Sequence, residues 1–340
     1  MKTRTLAPHC DLRVSEVSFG GMSLGQAPSG DGLVMPDVEA LRVLDMAFDA
    51  GVNTVDTSNI YSDGESERLL GNWLSGKRDR VIVATKCRFP VHEMTDQHLT
   101  SDELGLSRTS VIRSCEASLR RLKTDYIDLF QLHMQDATVP IEETLRALDD
   151  LVKDGKVRYV GCSNYTAYRV VEALWTSDRA ELPSFASLQL PWSLVLRDVE
   201  RELVPTARNF DLGVLVYSPL ARGFLTGKYE RAQDPPPGSR LQRWGRIFDE
   251  YDQSRWTVLH VVRTIAKNHD ATPAQIAIAW LLAKSEVSSV LLGVKSEGQM
   301  QELLVSRHVT LTDDELRELD RISAPQWGYP YSLIQRYEPW

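Results

Sequence analysis

Residues that can give or take a proton stand where short apolar runs of this sequence stop. Asp56 ends one such run, Lys86 ends "RVIVATK" and His133 ends "DYIDLFQLH", while Tyr61 follows Asp56 by five positions in a polar segment. A carboxylate, a phenol, an ammonium and an imidazole brought together can protonate a reacting oxygen. The pattern therefore raises the hypothesis of an acid–base site, provided that the fold brings the four side chains together.

The phenol of Tyr61 is the natural proton donor of this set. Its reference pKa of about 10 makes it a weak acid near neutrality, and a neighbouring Lys86 ammonium would lower that pKa by favouring the phenolate. Asp56 would keep the lysine charged and oriented, and His133 would hydrogen-bond the substrate oxygen. We interpret the set as a general acid for a carbonyl oxygen that gains negative charge. Taken singly, each residue also has a structural explanation as a turn cap, a solvated lysine or a satisfied buried histidine.

Eight strand-like runs alternate with amphipathic helices and must position these side chains. The runs begin at about residues 16, 53, 80, 125, 156, 185, 212 and 288. This alternation fits an α/β fold, either a (β/α)8 TIM barrel or a doubly wound sheet. A doubly wound dinucleotide domain would show GxGxxG after its first strand, whereas "FGGMSLG" at 19–25 lacks a helix at the required place. The barrel is favoured.

The carboxyl ends of the barrel strands would meet at one mouth. Further polar residues end the later strands and would converge there: Ser163, Asn164, Gln189, Tyr217 and Ser218. Around the barrel we expect an N-terminal hairpin-like segment, extra helices and long loops at the C-terminal face. The whole of 1–340 is predicted to form one domain, with a Pro/Gly-rich insertion at about 226–252 and an aromatic tail at about 325–340.

Helix boundaries can be predicted from capping residues. Ser107 is a plausible N-cap, Thr272 precedes a Pro at the first helical position, and Thr312 forms a capping box with Glu315. A further helix is predicted over 198–210.

The composition excludes several classes of function. A net charge of −8 argues against non-specific nucleic-acid binding. No apolar run approaches the roughly 18–20 residues of a membrane span, and the N-terminus lacks the pattern of a signal peptide, so we expect a cytoplasmic protein. The four cysteines lie far apart and form no CxxC, which indicates reduced thiols. A single strand-end histidine without paired His/carboxylate spacing makes a poor metal site, so no metal is expected.

The sequence resembles the aldo-keto reductase superfamily along nearly its whole length. The matching segments are "FGGMSLG", "GVNTVDTSNIYSDGESERLLG", "VIVATK", "SLRRLKTDYIDLFQLH", "GKVRYVGCSNY", "LQLPWSL", "VYSPLARGFLTGKY" and "LLGVKSEGQMQELL". The resemblance looks closest to the bacterial long-loop branch that includes the potassium-channel β subunits and many sugar or aryl-aldehyde reductases.

The resemblance implies NADPH/NADP+ bound in extended form across the barrel mouth, without a Rossmann fold. Residues matching Ser163, Asn164 and Gln189 hold the nicotinamide carboxamide in the family, and the Tyr217 counterpart stacks on its ring. The full set of expected cofactor-binding residues is Gly20, Gly21, Met22, Asp56, Ser163, Asn164, Gln189, Tyr217, Ser218, Pro219, Leu220, Gly223, Lys228, Gly293, Lys295, Ser296 and Gln299.

Two of these residues also have a physical argument. Ser296 could cap a helix whose N-terminus favours a phosphate, and Lys295 offers positive charge to a 2′-phosphate, which favours NADPH over NADH. Two positions depart from the family pattern. Leu303 stands where many relatives carry an adenine-reading Asn, and Trp192 stands where a Tyr is usual.

The predicted function is reduction of an aldehyde or ketone, of a sugar or aryl type, by hydride transfer with Tyr61 as general acid. Candidate substrate-contacting residues are Arg88, Phe89, Trp192 and Trp244. The alternatives are a slow or non-catalytic NADPH-binding regulator, like the channel β subunits, and a metal-dependent barrel hydrolase or isomerase. The only expected partner is a small carbonyl substrate, with no nucleic acid and no membrane, and the sequence leaves the oligomeric state open.

Overall fold

Eight parallel strands form a closed barrel in this computed structural model, which describes residues 1–25, 34–91, 104–231, 233–237, 239, 242 and 253–338. The predicted (β/α)8 barrel is therefore confirmed, with strands in sequential order around the ring. The barrel strands are β3 (Val17–Gly20), β4 (Thr54–Asp56), β5 (Ile82–Cys87), β6 (Ile127–Leu132), β7 (Val157–Ser163), β8 (Phe185–Pro191), β9 (Gly213–Tyr217) and β10 (Val287–Leu292).

An antiparallel pair of short strands precedes the barrel, as the sequence predicted. β1 (Thr3–Thr5) pairs with β2 (Arg13–Ser15), and the register aligns Thr3 with Ser15. Apolar residues of this hairpin pack against inward-facing barrel residues, forming one cluster: Leu6, Ala7, Cys10, Leu12, Val14, Ala84, Leu129, Ala186 and Leu215. The approach is close enough that a Cβ on Gly213 would lie 2.1 Å from the Leu6 carbonyl oxygen. The hairpin thus closes the N-terminal end of the barrel.

Helices surround the barrel and cover the outward faces of its strands. Within the described residues they are α1 (Asp37–Asp49), α2 (Glu65–Trp73), α3 (Arg108–Leu122), α4 (Ile141–Lys153), α5 (Ala167–Ala180), α6 (Leu203–Asn209), α7 (Gln253–Asn268), α8 (Pro273–Leu282), α9 (Glu297–Val305), α10 (Asp313–Ile322) and α11 (Tyr331–Tyr337). The large apolar core lies between these helices and the strands. None of the helices in the described part has both the length and the apolar character needed to cross a membrane.

Local sequence signals fix several helix ends as predicted. Ser107 caps α3, Thr272 caps α8 with Pro273 at the first position, and Thr312 and Glu315 form the capping box of α10. The helix predicted over 198–210 is wrong in its first part. A short 3-10 helix at Asp198–Glu200 precedes α6, because Pro205 has no N–H to donate and is tolerated only within the first turn of a helix.

Candidate active site

Lys86 lies inside the barrel and holds three acceptors of the candidate site together. Its Nζ donates to Asp56 Oδ2 at 2.6 Å, to the Thr57 carbonyl oxygen at 2.9 Å and to the Tyr61 hydroxyl at 3.3 Å. An ammonium has three donors, so these contacts satisfy the side chain, which is fully buried. The structure therefore brings Asp56, Tyr61 and Lys86 together, as the sequence suggested.

The charge state of Lys86 depends on its neighbours. Burial alone would lower the pKa of Lys86, but the negative charge of Asp56, followed by the interaction with Tyr61, outweighs burial. The pKa of Lys86 is therefore raised above its ordinary value of 10.5. The lysine remains an ammonium at neutral pH, directed at the phenol.

The segment that carries Tyr61 is fixed from outside the barrel. Tyr61 begins a 3-10 turn, Tyr61–Gly64, which leads directly into α2. On α2 the fully buried Glu67 accepts from Thr85 Oγ1 at 2.5 Å and pairs with Arg121 of α3 at 2.6 Å. Thr85 directly precedes Lys86 on β5. Glu67 therefore holds both the strand that carries Lys86 and the helix that follows Tyr61.

His133 follows β6 directly and completes the predicted set. Its Nδ1 lies 3.1 Å from Ser58 Oγ, and its ring stands edge-on to Tyr61 with the centroids 5.9 Å apart. Burial, reinforced by the charges of Lys86 and Arg88, lowers the pKa of His133 from 6.5 to about 3. The imidazole is therefore neutral near pH 7 and can donate from one ring nitrogen only.

A cavity of about 710 Å³ opens onto Asp56, Tyr61 and His133. This volume lies in the usual range of cofactor and ligand pockets. Of the expected cofactor-binding residues, all but Ser296 line it: Gly20, Gly21, Met22, Asp56, Ser163, Asn164, Gln189, Tyr217, Ser218, Pro219, Leu220, Gly223, Lys228, Gly293, Lys295 and Gln299. Their roles towards a cofactor stay predictions.

Ser296 lies just behind the lining and supports it. Its hydroxyl accepts from the Gln299 backbone N–H at 3.3 Å and so caps α9, while Gln299 Oε1 accepts from the Lys295 backbone N–H at 2.8 Å. The capped turn holds Lys295 and Gln299 at the cavity, which makes Ser296 a supporting residue in this structure.

The polar wall near β7 and β9 is linked by hydrogen bonds. Tyr217 donates to Asn164 Oδ1 at 2.8 Å, and Asn164 Nδ2 donates to the His133 carbonyl oxygen at 2.8 Å and to Ser163 Oγ at 3.0 Å. Burial is the main reason that the pKa of Tyr217 is raised to about 12. Tyr217 therefore stays a neutral phenol.

Sequence reasoning missed several lining residues. These are Arg222, Thr226, Ser239, Ala274, Leu291, Leu292 and Glu302, while Leu303 was noted only as a departure from the family. A signal was present for some of them, because Arg222 and Thr226 lie within "VYSPLARGFLTGKY" and Glu302 lies within "LLGVKSEGQMQELL".

The cavity suits an anionic dinucleotide. Three cationic side chains line it, Arg222, Lys228 and Lys295, and their charge matches that of phosphate groups. Gly21 of the lining packs closely against the end of β4, because a Cβ there would lie 2.8 Å from the Asp56 carbonyl oxygen. The residues present thus fit a nicotinamide dinucleotide carrying phosphates.

Two of the predicted substrate-contacting residues flank His133. The Phe89 ring stands edge-on to His133 with the centroids 5.3 Å apart, and the Phe89 carbonyl oxygen accepts from Asn59 at 2.7 Å. The Arg88 guanidinium lies 5.1 Å from the centre of the Phe89 ring, and its Nε donates to the Gln135 carbonyl oxygen at 3.2 Å. Neither residue lines the cavity itself.

Trp192, which was predicted to contact substrate, is buried away from the cavity lining. Its side chain is only 2% exposed, its indole N–H donates to Glu200 at 2.8 Å, and its ring meets Trp280 edge-on. The cavity lining does not include it. Packing and a satisfied indole N–H place it in the core between strands and helices. The prediction for Trp244 falls outside the described residues.

The aromatic tail, as far as residue 338, also stays outside the cavity lining. Tyr331 donates to Glu202 at 2.6 Å, whereas Tyr329 is 86% exposed. Tyr331 therefore attaches the tail to the segment before α6, whereas Tyr329 faces solvent. Trp340 lies beyond the described residues.

Comparison with known proteins gives consistent matches over most of the chain. Residues 16–324 match the model of the "Aldo/keto reductase family". A provisionally named aryl-alcohol dehydrogenase of Saccharomyces cerevisiae is 32% identical over 333 residues, covering 93% of this chain and 95% of that protein. An aldo-keto reductase of Fusarium vanettenii is 33% identical over 337 residues, covering 94% and 90%. An uncharacterized oxidoreductase of Bacillus subtilis is 30% identical over 318 residues, covering 92% and 93%.

Proposed function

This chain belongs to the aldo/keto reductase family, and on that premise we propose that it reduces an aldehyde or ketone to an alcohol, with NADPH as the reductant and Tyr61 as the general acid. The observation that carries the proposal is the contact between the Lys86 ammonium and the Tyr61 hydroxyl at 3.3 Å, beside a cavity lined by cationic and amide side chains. A nicotinamide cofactor, when bound, supplies the hydride.

The protein's part in the reaction is to place and protonate the substrate oxygen. Tyr61 gives its proton to that oxygen as negative charge develops on it, and the nearby ammonium stabilises the phenolate that remains. Asp56 keeps the ammonium in place at 2.6 Å. His133 is neutral, so it orients the substrate oxygen by hydrogen bonding without competing as a stronger acid.

The preference for NADPH is part of the proposal. Lys295 and Arg222 add positive charge to the cavity lining, and such side chains favour a cofactor that carries an additional phosphate. Turnover measured with NADPH and with NADH at matched concentrations tests this preference. Equal kcat/KM for the two cofactors would contradict it.

An aromatic aldehyde is the substrate class to examine first. The His133 ring stands edge-on to Tyr61 and the Phe89 ring stands edge-on to His133, and the relative from Saccharomyces cerevisiae carries the provisional name of an aryl-alcohol dehydrogenase. Sugar carbonyls form the second class of the panel, since hydroxyl-rich substrates also fit a mouth with polar strand ends.

The decisive experiment is loss of NADPH absorbance with a panel of aryl aldehydes, ketones and keto-sugars. Tyr61→Phe should lower kcat by about 10²–10⁴-fold, the usual contribution of a general acid, while NADPH binding followed by fluorescence stays within a few fold. Tyr168→Phe is the matched control, because Tyr168 is 67% exposed on α5 and should leave both measurements unchanged.

Each alternative outcome has a distinct meaning. Near-normal turnover by Tyr61→Phe would show that another group donates the proton. Tight NADPH binding without turnover of any panel member by the unmodified protein would replace the reductase proposal with that of a cofactor-binding regulator.

A further inference from the structure

Gln131 is a polar residue inside the barrel that the mechanism has not used. It lies on β6, two residues before His133, and its side chain is fully buried. It does not line the cavity, so it is one step removed from any bound molecule. Its Nε2 donates to Asp56 Oδ1 at 3.1 Å. A buried amide at this position therefore acts on the carboxylate that holds Lys86.

Three donors from three different strands converge on the Asp56 carboxylate. Lys86 of β5 donates to Oδ2 at 2.6 Å, whereas Gln131 of β6 and Gln189 of β8 donate to Oδ1 at 3.1 and 2.7 Å. A buried ionised carboxylate needs such donors to offset its desolvation. Because one oxygen is reserved for the amides, the other stays directed at the lysine.

Gln131 also constrains Gln189. The Nε2 of Gln189 lies 2.7 Å from Asp56 Oδ1 and 3.4 Å from Gln131 Oε1. Both amide hydrogens of Gln189 are thus directed at these two oxygens, which leaves its Oε1 as the side-chain atom available at the cavity. Gln131 in this way fixes the amide orientation of a residue that lines the cavity.

We propose that Gln131 is a positioning residue, which locks the Asp56 carboxylate so that Lys86 remains aligned with Tyr61. The inference rests on the proposed function, because Tyr61 matters here as the proton donor. Gln131 touches neither the phenol nor the cavity, so its effect on turnover passes entirely through Asp56 and Gln189.

Gln131→Glu is the sharpest test because it makes the contact between residue 131 and Asp56 depend on pH. The introduced carboxyl and Asp56 would share one proton at low pH, and the protonated partner would donate as the amide does. Ionisation of both would place two like charges within hydrogen-bond distance, which strongly raises one pKa of the pair. We expect kcat to be near that of the unmodified protein at about pH 5.5 and to fall more than about tenfold by about pH 8.5.

Two companion variants separate positioning from a merely structural role. Gln131→Leu removes the donor at similar size and should lower kcat by about 10-fold or more at every pH, because a hydrogen bond to a charged group is lost, without a new ionisation in the profile. Gln326→Glu is the matched control, since Gln326 is exposed in the tail, and its pH profile should equal that of the unmodified protein.

Urea unfolding tests the contact without any turnover measurement. In Gln131→Glu the folded protein holds the shared proton more tightly than the unfolded chain does, so stability should be lost as pH rises above about 4.3, the unfolded value for a glutamate. Adding Asp56→Asn removes the like charge and should make this pH dependence shallower.

The outcomes decide between the two proposals. A pH-dependent loss of stability in Gln131→Glu with an unchanged kcat profile would overturn the positioning role while leaving the reductase proposal intact. An unmodified protein without turnover of any panel member would overturn the reductase proposal and the positioning role together. A pH profile of Gln131→Glu equal to that of Gln326→Glu, in stability and in kcat, would show that Gln131 does not act on Asp56.

Discussion

Two successive layers of side chains fill the inside of the barrel, and the same strands supply both. On β5 the layers contain Ala84 and then Lys86, and on β6 they contain Leu129 and then Gln131. Residues two apart on a strand face the same side, about 6–7 Å apart along it. The lower layer is apolar and covered by the N-terminal hairpin, whereas the upper layer is polar and adjoins the cavity.

The difference teaches that height along a strand separates residues that pack the apolar interior from residues that form hydrogen bonds next to the cavity. Leu129 packs against the hairpin and contributes by excluding water. Gln131, one layer higher, contributes through a hydrogen bond to a charged group. Both face the barrel interior and both are almost completely buried, so burial alone does not distinguish the two roles.

Backbone conformation shows the same contrast between the two ends. At the N-terminal end, left-handed residues such as Lys123 and Glu181 simply terminate helices. At the mouth, left-handed residues such as Asn164, Ser218 and Arg222 line the cavity. This conformation is uncommon for residues with a side chain, and its occurrence at these lining residues makes them candidates for a binding role.

The strongest test of the contrast is to remove the ammonium from the upper layer. Lys86→Met should lower kcat/KM by about 10³-fold or more, because the phenol loses its main electrostatic support. It should also reduce stability by about 3–5 kcal/mol, since Asp56 is left as an uncompensated buried charge. Steady-state kinetics and urea unfolding measure the two effects.

The double variant Asp56→Asn/Lys86→Met sharpens that test. Replacing both partners of a buried ion pair is often nearly neutral for stability, so most of the lost stability should return while kcat/KM stays low. Recovery of turnover together with stability would contradict a catalytic role for the pair.

A change in the lower layer should reduce stability while leaving turnover nearly unchanged. Leu129→Ala leaves a cavity in the apolar cluster and should cost about 2–5 kcal/mol of unfolding free energy. The folded fraction should still turn over within about twofold of the unmodified rate, because the lost contacts lie away from the reacting groups. Urea unfolding combined with kcat per folded molecule checks this, and a catalytic loss like that of Lys86→Met would erase the contrast between layers.

The smallest expected effect is the contribution of His133, at the mouth, to the pH dependence of stability. Its pKa is about 3 in the folded protein and about 6.5 in the unfolded chain. The unfolded chain therefore binds a proton first as pH falls, and stability declines between about pH 6.5 and pH 3, by at most about 1.4 kcal/mol per pH unit.

The comparison variant is His133→Asn. Urea unfolding at pH 7 and pH 5 gives the free energy of unfolding at each pH. The decrease in that free energy between pH 7 and pH 5 should be about 1 kcal/mol smaller for the variant, because partial exposure of His133 keeps the effect below its ceiling. Equal slopes for the two proteins would show that His133 is not held neutral by the fold.

The sequence was sufficient to predict the barrel and the proximity of the four residues of the candidate acid–base site. Parallel strands bring their carboxyl ends together, so Asp56 and Lys86 could be placed in one site from the positions at which their strands stop. The alternation of strands and helices likewise determined the ring order that the structure shows.

Residues whose role depends on three-dimensional packing escaped prediction. Trp192 follows a strand and carries an aromatic ring, yet the position of Glu200 directs its indole into the core. Gln131 interrupts an apolar strand, which indicates a buried amide but not its partner. Arg222 lies within a segment that matches the family, but its place in the lining escaped prediction because the course of a loop with left-handed residues cannot be deduced from their types.

The anchor formed by Glu67 and Arg121 has a consequence for the diversification of this enzyme. It holds the Tyr61 segment from the helical side of β5, whereas Arg88 and Phe89 follow the end of that strand, where Arg88 donates to the Gln135 carbonyl oxygen. Tyr61 and the two residues proposed to contact substrate, Arg88 and Phe89, thus have separate supports. Under the proposed function, directed evolution or natural drift at Arg88 and Phe89 can alter substrate range while Tyr61 keeps its contact with Lys86.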